Sequence, residues 1–142
     1  MASKDLHSNV AVSVSLAPAV RTADTNGTGV DLSKYESAEV IFNVGAEGVT
    51  LSGTDKIALE LEESDDDVTY TDVAAADMIG EESAGTVRTL DDNAECPAVY
   101  RVGYIGSKRY VRAVLNFSGT HGTGTPIGCV VVAGHPRTTP TS

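Results

Sequence analysis

Apolar residues recur at every second position in several short runs, the period of a strand with one buried face. Val10, Val12, Val14 and Leu16 alternate with Ala11, Ser13 and Ser15, which predicts a half-buried strand. Pro18 ends it or confines it to a sheet edge, because proline cannot donate to a ladder. Ala38, Val40, Phe42 and Val44 share a second apolar face opposite Glu39, Ile41 and Asn43. Ile57, Leu59 and Leu61 share a third, with Ala58, Glu60 and Glu62 outward. Between the first two runs, Asn26-Gly27 and Gly29 mark a loop able to take positive φ.

The middle of the chain is less regular. A charged turn at "ESDDD" precedes a short strand, Val68 to Val73. "AAADMIGEE" suggests a helical turn too short to stand alone. Another short strand, Thr86 to Leu90, leads to an acidic turn closed by Pro97. The last third is the most strongly patterned. Val99–Ile105 and Arg109–Phe117 read as a hairpin through Gly106-Ser107-Lys108. Val111, Ala113, Leu115 and Phe117 form the inner face of its second arm, and Ile127–Ala133 a final apolar strand.

Seven or eight short antiparallel strands with no sustained helical period predict an all-β fold, a β-sandwich or a jelly-roll-like domain. One domain, residues 10–133, is flanked by a flexible N-terminal arm (1–9) and an extended C-terminal tail (134–142).

Composition narrows the partners. The chain has 142 residues and a net charge of −10, a balance repelled by phosphate backbones and anionic membrane surfaces. Nucleic acid and membrane are therefore excluded as expected partners. Fourteen acids lie from Asp55 to Glu95 and none follows, while Arg101, Lys108, Arg109, Arg112 and Arg137 are basic. That asymmetry suits pairing between neighbouring strands. No apolar run is long enough to cross a bilayer, and "MASKDLHSNV" lacks a secretory stretch. Cys96 and Cys129 are expected as free thiols with no metal-ligand spacing.

Candidate chemistry is thin. Asp65, Asp66 and Asp67 lack the loop pattern of a calcium-binding hand and read as a solvated turn. Paired carboxylates for glycoside cleavage need a cleft with aromatic platforms, and the chain has no Trp and five Tyr. His7, His121 and His135 have no partner at zinc-site spacing and read as surface histidines. Arg112 and Tyr110 fall on one strand face, where stacking and pairing with acids is the expected role. No enzyme and no cofactor are expected.

Four stretches, "LAPAVRTADTNGTGVDLSKYESAEVIFNVG", "ESDDDVTYTDVAAADMIG", "YRVGYIGSKRYVRAVL" and "GHPR", resemble a family of small proteins encoded near the major capsid protein of tailed bacteriophages. The likeness covers roughly Val10 to Arg137 and leaves out Cys96 and Cys129. It implies a capsid cement or decoration protein with a β-sandwich fold. Its implied place is the capsid surface of the virion, assembled in the host cytoplasm, and its implied partner the major capsid protein. A homo-oligomer, with a trimer among the options, follows from the symmetry axes of such lattices. Candidate contact residues are Lys4 and His7 in the arm, Tyr104 and Arg109 in the hairpin, His121 in the Gly/Thr-rich loop, and His135 and Arg137 in the tail. Contact is expected through termini and loops, not through strand faces. The alternatives are a virion-surface module binding carbohydrate or host, and another head-fibre, neck or tail component.

Overall fold

From Ala38 to Val44 every second residue is buried, and this strict alternation places one strand at the centre of the first sheet. The computed structural model describes residues 4–138, among which eleven strands occur. In chain order they are β1 (Val10–Arg21), β2 (Thr25–Asn26), β3 (Val30–Asp31), β4 (Tyr35–Val44), β5 (Lys56–Ser64), β6 (Thr71–Asp72), β7 (Met78–Ile79), β8 (Thr86–Leu90), β9 (Ala98–Tyr104), β10 (Tyr110–Ser118) and β11 (Thr125–Pro136). Seven of these have five residues or more, and the other four are two-residue pairings.

Two antiparallel sheets face each other. The first has the order β1-β11-β4-β9-β7. The second has the order β2-β10-β5-β6, with β3 also on β10 and β8 also on β5. This is the expected all-β sandwich. Val40, Phe42 and Val44 from the first sheet meet Ile57, Leu59, Leu61, Val111 and Leu115 from the second, all essentially inaccessible. Each such burial contributes about 1.5–3 kcal/mol, so aliphatic residues supply a core without Trp.

Several expectations are corrected. Of the two readings of Pro18, the edge position holds: β1 runs through it to Arg21 along the sheet edge, where a missing N–H costs nothing. Register shifts fall between Val14 and Leu16 and between Leu16 and Ala19. An extra residue in a strand reverses which side its residues face. Val12 and Val14 therefore look outward, 60% and 53% exposed, while Ser15 and Leu16 are buried.

The hairpin is also overturned. β9 pairs with β4 in the first sheet, and β10 pairs with β5 in the second. The link between them crosses the sandwich, with Tyr104 Oη accepting the Lys108 N–H at 3.0 Å. Crossing lets Val102 and Tyr104 face Val111 and Ala113 across the core, which a flat hairpin would not. Only Thr71–Asp72 of the expected Val68–Val73 strand pairs, because the preceding residues are held in a side-chain-capped turn and Val68 is 81% exposed. "AAADMIGEE" forms a 3₁₀ turn, Ala75–Asp77, followed by β7. β11 extends through Pro136, and the Arg137 N–H donates to the Lys34 carbonyl, so the start of the expected tail is strand. Residues 1–3 of the expected arm and 139–142 of the tail lie outside the described residues.

Candidate functional site

One end of the sandwich collects residues from four separate parts of the chain. β4, β9 and β10 begin or end there, and so does β11. An open hollow of about 620 Å³ is lined by Tyr104, Lys108, Arg109 and Arg137 together with Tyr35, Glu36, Ser37 and Asp65. Three ion pairs rim it: Lys108–Asp65 at 2.6 Å, Arg109–Asp31 at 2.8 Å and Arg137–Glu36 at 2.8 Å. The Arg109 fork takes both carboxylate oxygens of Asp31, through Nε at 3.0 Å and Nη2 at 2.8 Å. That contact holds the Asp31 carboxyl far below the usual carboxylate range, with further help from Ser33. All three pairs are largely exposed, so they orient side chains more than they stabilise the fold.

Tyr104 forms the floor. Its ring is buried, its hydroxyl donates to Glu63 Oε2 at 2.6 Å, and burial together with that carboxylate keeps the phenol protonated well above its ordinary range. Ser37 on the wall is hydrogen-bonded to His135 Nδ1 at 2.7 Å. His7 sits in a 3₁₀ turn against a second hollow that shares Tyr35 with the first. The fold thus brings Tyr104, Arg109, His135, Arg137 and His7 to one end. Lys4 stands in the segment leading to that turn and is exposed.

His121 is a correction. It lies beyond the opposite end of β10 and is 4% exposed, not a surface histidine. Its ring sits edge-on to Phe117 at 4.9 Å, and its Nε2–H donates to the Ser118 carbonyl at 2.8 Å. It anchors its loop and offers no contact surface. Asp66, in contrast, is the turn residue expected: its carboxylate accepts the Thr69 and Val68 N–H groups at 2.8 and 2.9 Å. Among the described residues no group of three or more His, Cys, Asp or Glu is placed to hold a metal ion.

A second surface was not expected from the sequence. The outward residues of the first sheet are mostly apolar: Val12 and Val14 on β1, Val130 and Val132 on β11, Ile41 on β4 and Val99 on β9. Their only charges are Glu39 and Arg101, which pair with each other at 3.5 Å. The outer face of the second sheet is different in kind. There Glu60, Glu62 and Asp72 crowd together, and Arg112 neutralises Glu62 at 2.6 Å. The available signal was Ile41, an apolar residue at an outward position of β4.

No protein-family model matches the chain, and no curated protein matches it significantly. Among solved structures it is similar to the crystal structure of SPBc2 prophage-derived protein YomS, with a TM-score of 0.47 and 13% sequence identity, covering 88% of this chain and 94% of that one.

Proposed function

We propose that this chain is a non-enzymatic structural protein of a tailed-phage particle, a cement that binds the major capsid protein through the Arg109 end of the sandwich. The observation that carries the reading is the convergence of Tyr104, Arg109 and Arg137 around one open hollow, with His135 bonded to Ser37 of its wall. Tyr and Arg are the residues most often found as interface anchors. Here the guanidinium groups are held extended at the rim by exposed carboxylates, ready to exchange them for acceptors on a partner chain. The four sequence stretches that resemble the cement family support the choice of capsid as that partner.

The test uses capsids prepared with and without the protein. Added wild-type chain should bind them and raise the temperature at which they burst. Arg109→Glu with Arg137→Glu should abolish both effects while circular dichroism shows the isolated chain still folded, at a somewhat lower melting temperature because Asp31 and Glu36 each lose a partner and gain a like charge. Binding without any gain in capsid robustness would sink the cement role. Binding confined to neck, tail or fibre, or to glycans instead of protein, would replace it with the corresponding alternative.

A further inference from the structure

We infer that the outer face of the β1-β11-β4-β9 sheet is covered by a second copy of this chain, giving a twofold dimer packed sheet against sheet. The inference concerns a surface separate from the Arg109 end and does not depend on the capsid role.

Charge selects the occupant. The chain carries a net charge of −10, yet this face is neutral: its one acid, Glu39, and its one base, Arg101, stand on adjacent strands. A twofold axis through the middle of the sheet carries Arg101 of each copy toward Glu39 of the other. The face is thus complementary to itself, as an isologous contact requires. The acidic crowd of Glu60, Glu62 and Asp72 lies on the far side of each sandwich and stays away from the contact.

Shape points the same way. A hollow of about 300 Å³ opens on the face, with Gly128 as part of its floor and Val14, Pro18 and Val99 around it. Val99 is 61% exposed and Val14 53%, so each copy presents both a recess and projecting side chains that can enter the other's recess. Four strands at about 4.8 Å spacing and ten residues at about 3.3 Å make a plane of roughly 600 Å² before side-chain relief, close to the about 800 Å² per partner of a standard interface. Two sandwiches can lie face to face with strands near −30°. Growth at the sheet edges is hindered instead: Pro18 and two register shifts interrupt β1, and β7 is two residues long.

Sedimentation velocity and light scattering on the full chain, across micromolar concentrations, test this. The expected species is a dimer. Val14→Glu and Val99→Glu should each raise its dissociation constant roughly tenfold or more, with the circular dichroism spectrum unaltered because both positions are solvent-facing in one copy, and with the concentration dependence of the melting temperature reduced as the dimer is lost. Arg101→Glu should weaken the dimer, and Arg101→Glu with Glu39→Arg should restore it. A monomer at every concentration, a trimer, or a dimer indifferent to Val99→Glu overturns the inference. Capsid binding by a monomeric Val99→Glu chain separates this outcome from that of the cement reading.

Discussion

Ser15 of β1 reaches across the sandwich, its Oγ accepting the Ala113 N–H of β10 at 2.9 Å and donating to the Thr28 carbonyl at 2.9 Å. β2 pairs with β10 at Val114 and Leu115, and β3 at Tyr110 and Val111, which leaves a gap beside Ala113. Ser15 and Gly27 fill it. The Gly27 N–H donates to the Ala113 carbonyl at 2.7 Å, and a Cβ on Gly27 would stand 2.6 Å from Ser15 Oγ. Glycine is needed there for close approach. Ser15→Ala strands a buried N–H and a carbonyl, so urea unfolding should show a loss of about 1–3 kcal/mol. Ser13→Ala, at an exposed position of the same strand, should leave the midpoint unmoved.

Arg112 lies over the Tyr70 ring at 4.0 Å and bonds Glu62 through Nε at 2.7 Å, with both charged side chains about four-fifths buried. Tyr70 in turn donates to Asp67, tying the turn after β5 to the second sheet. Arg112→Ala removes the stacking and leaves Glu62 uncompensated beside its acidic neighbours. Chemical denaturation should report a cost of about 1–3 kcal/mol. Arg112→Lys should recover only part of it, since an ammonium group has neither fork nor plane. Equal stability of the wild type and the alanine variant would show the pair to be idle.

Glu60 and Asp31 should respond to pH with opposite sign. Burial, then the charges of Asp72 and Glu62, raises the Glu60 carboxyl above its ordinary range, so its ionised form opposes folding at neutral pH. Glu60→Gln should therefore stabilise the chain at pH 7 by several tenths to about 1 kcal/mol, and the gain should vanish below about pH 4, where both states are protonated. Asp31 is depressed by Arg109, and Asp66 by the Thr69 and Val68 N–H groups. Their stabilisation is complete above the unfolded carboxylate range and is lost as pH falls through the folded values. Asp31→Asn should accordingly lower the melting temperature at pH 7 and have little effect in strong acid. A Glu60→Gln gain that persisted at pH 3 would contradict the assigned cause.

Both cysteines are free, and burial separates their reactivity. Desolvation pushes the Cys129 thiol up to about 12. Cys96 is half-buried and also raised, by burial and by Glu47 and Glu95. Alkylation of the native chain should modify Cys96 slowly and Cys129 only after unfolding, as read by peptide mass mapping. Rapid native labelling of Cys129 would mean that β11 opens far more readily than its inaccessible position implies.

The alternation of Ala38–Val44, Ile57–Leu61 and Val111–Phe117 determined the all-β class and the inner faces of three central strands, because a period of two leaves a strand only one way to bury its apolar side. It also placed β8 at Thr86–Leu90, between turn signals. The same alternation misassigned Val12 and Val14, since a bulge after Val14 reverses facing and no local residue announces it. It also joined β9 to β10, because a short Gly-containing link reads alike whether it turns within a sheet or crosses between two. Tyr104, Arg109, His135 and Arg137 were each visible as candidate contacts, but their meeting depends on strand order, which is set by how two sheets bury their inner faces together. The sequence alone determined what this chain buries and how it is charged. Tertiary structure decided which apolar residues stay outside, which leaves one outer face neutral and apolar on an otherwise acidic molecule.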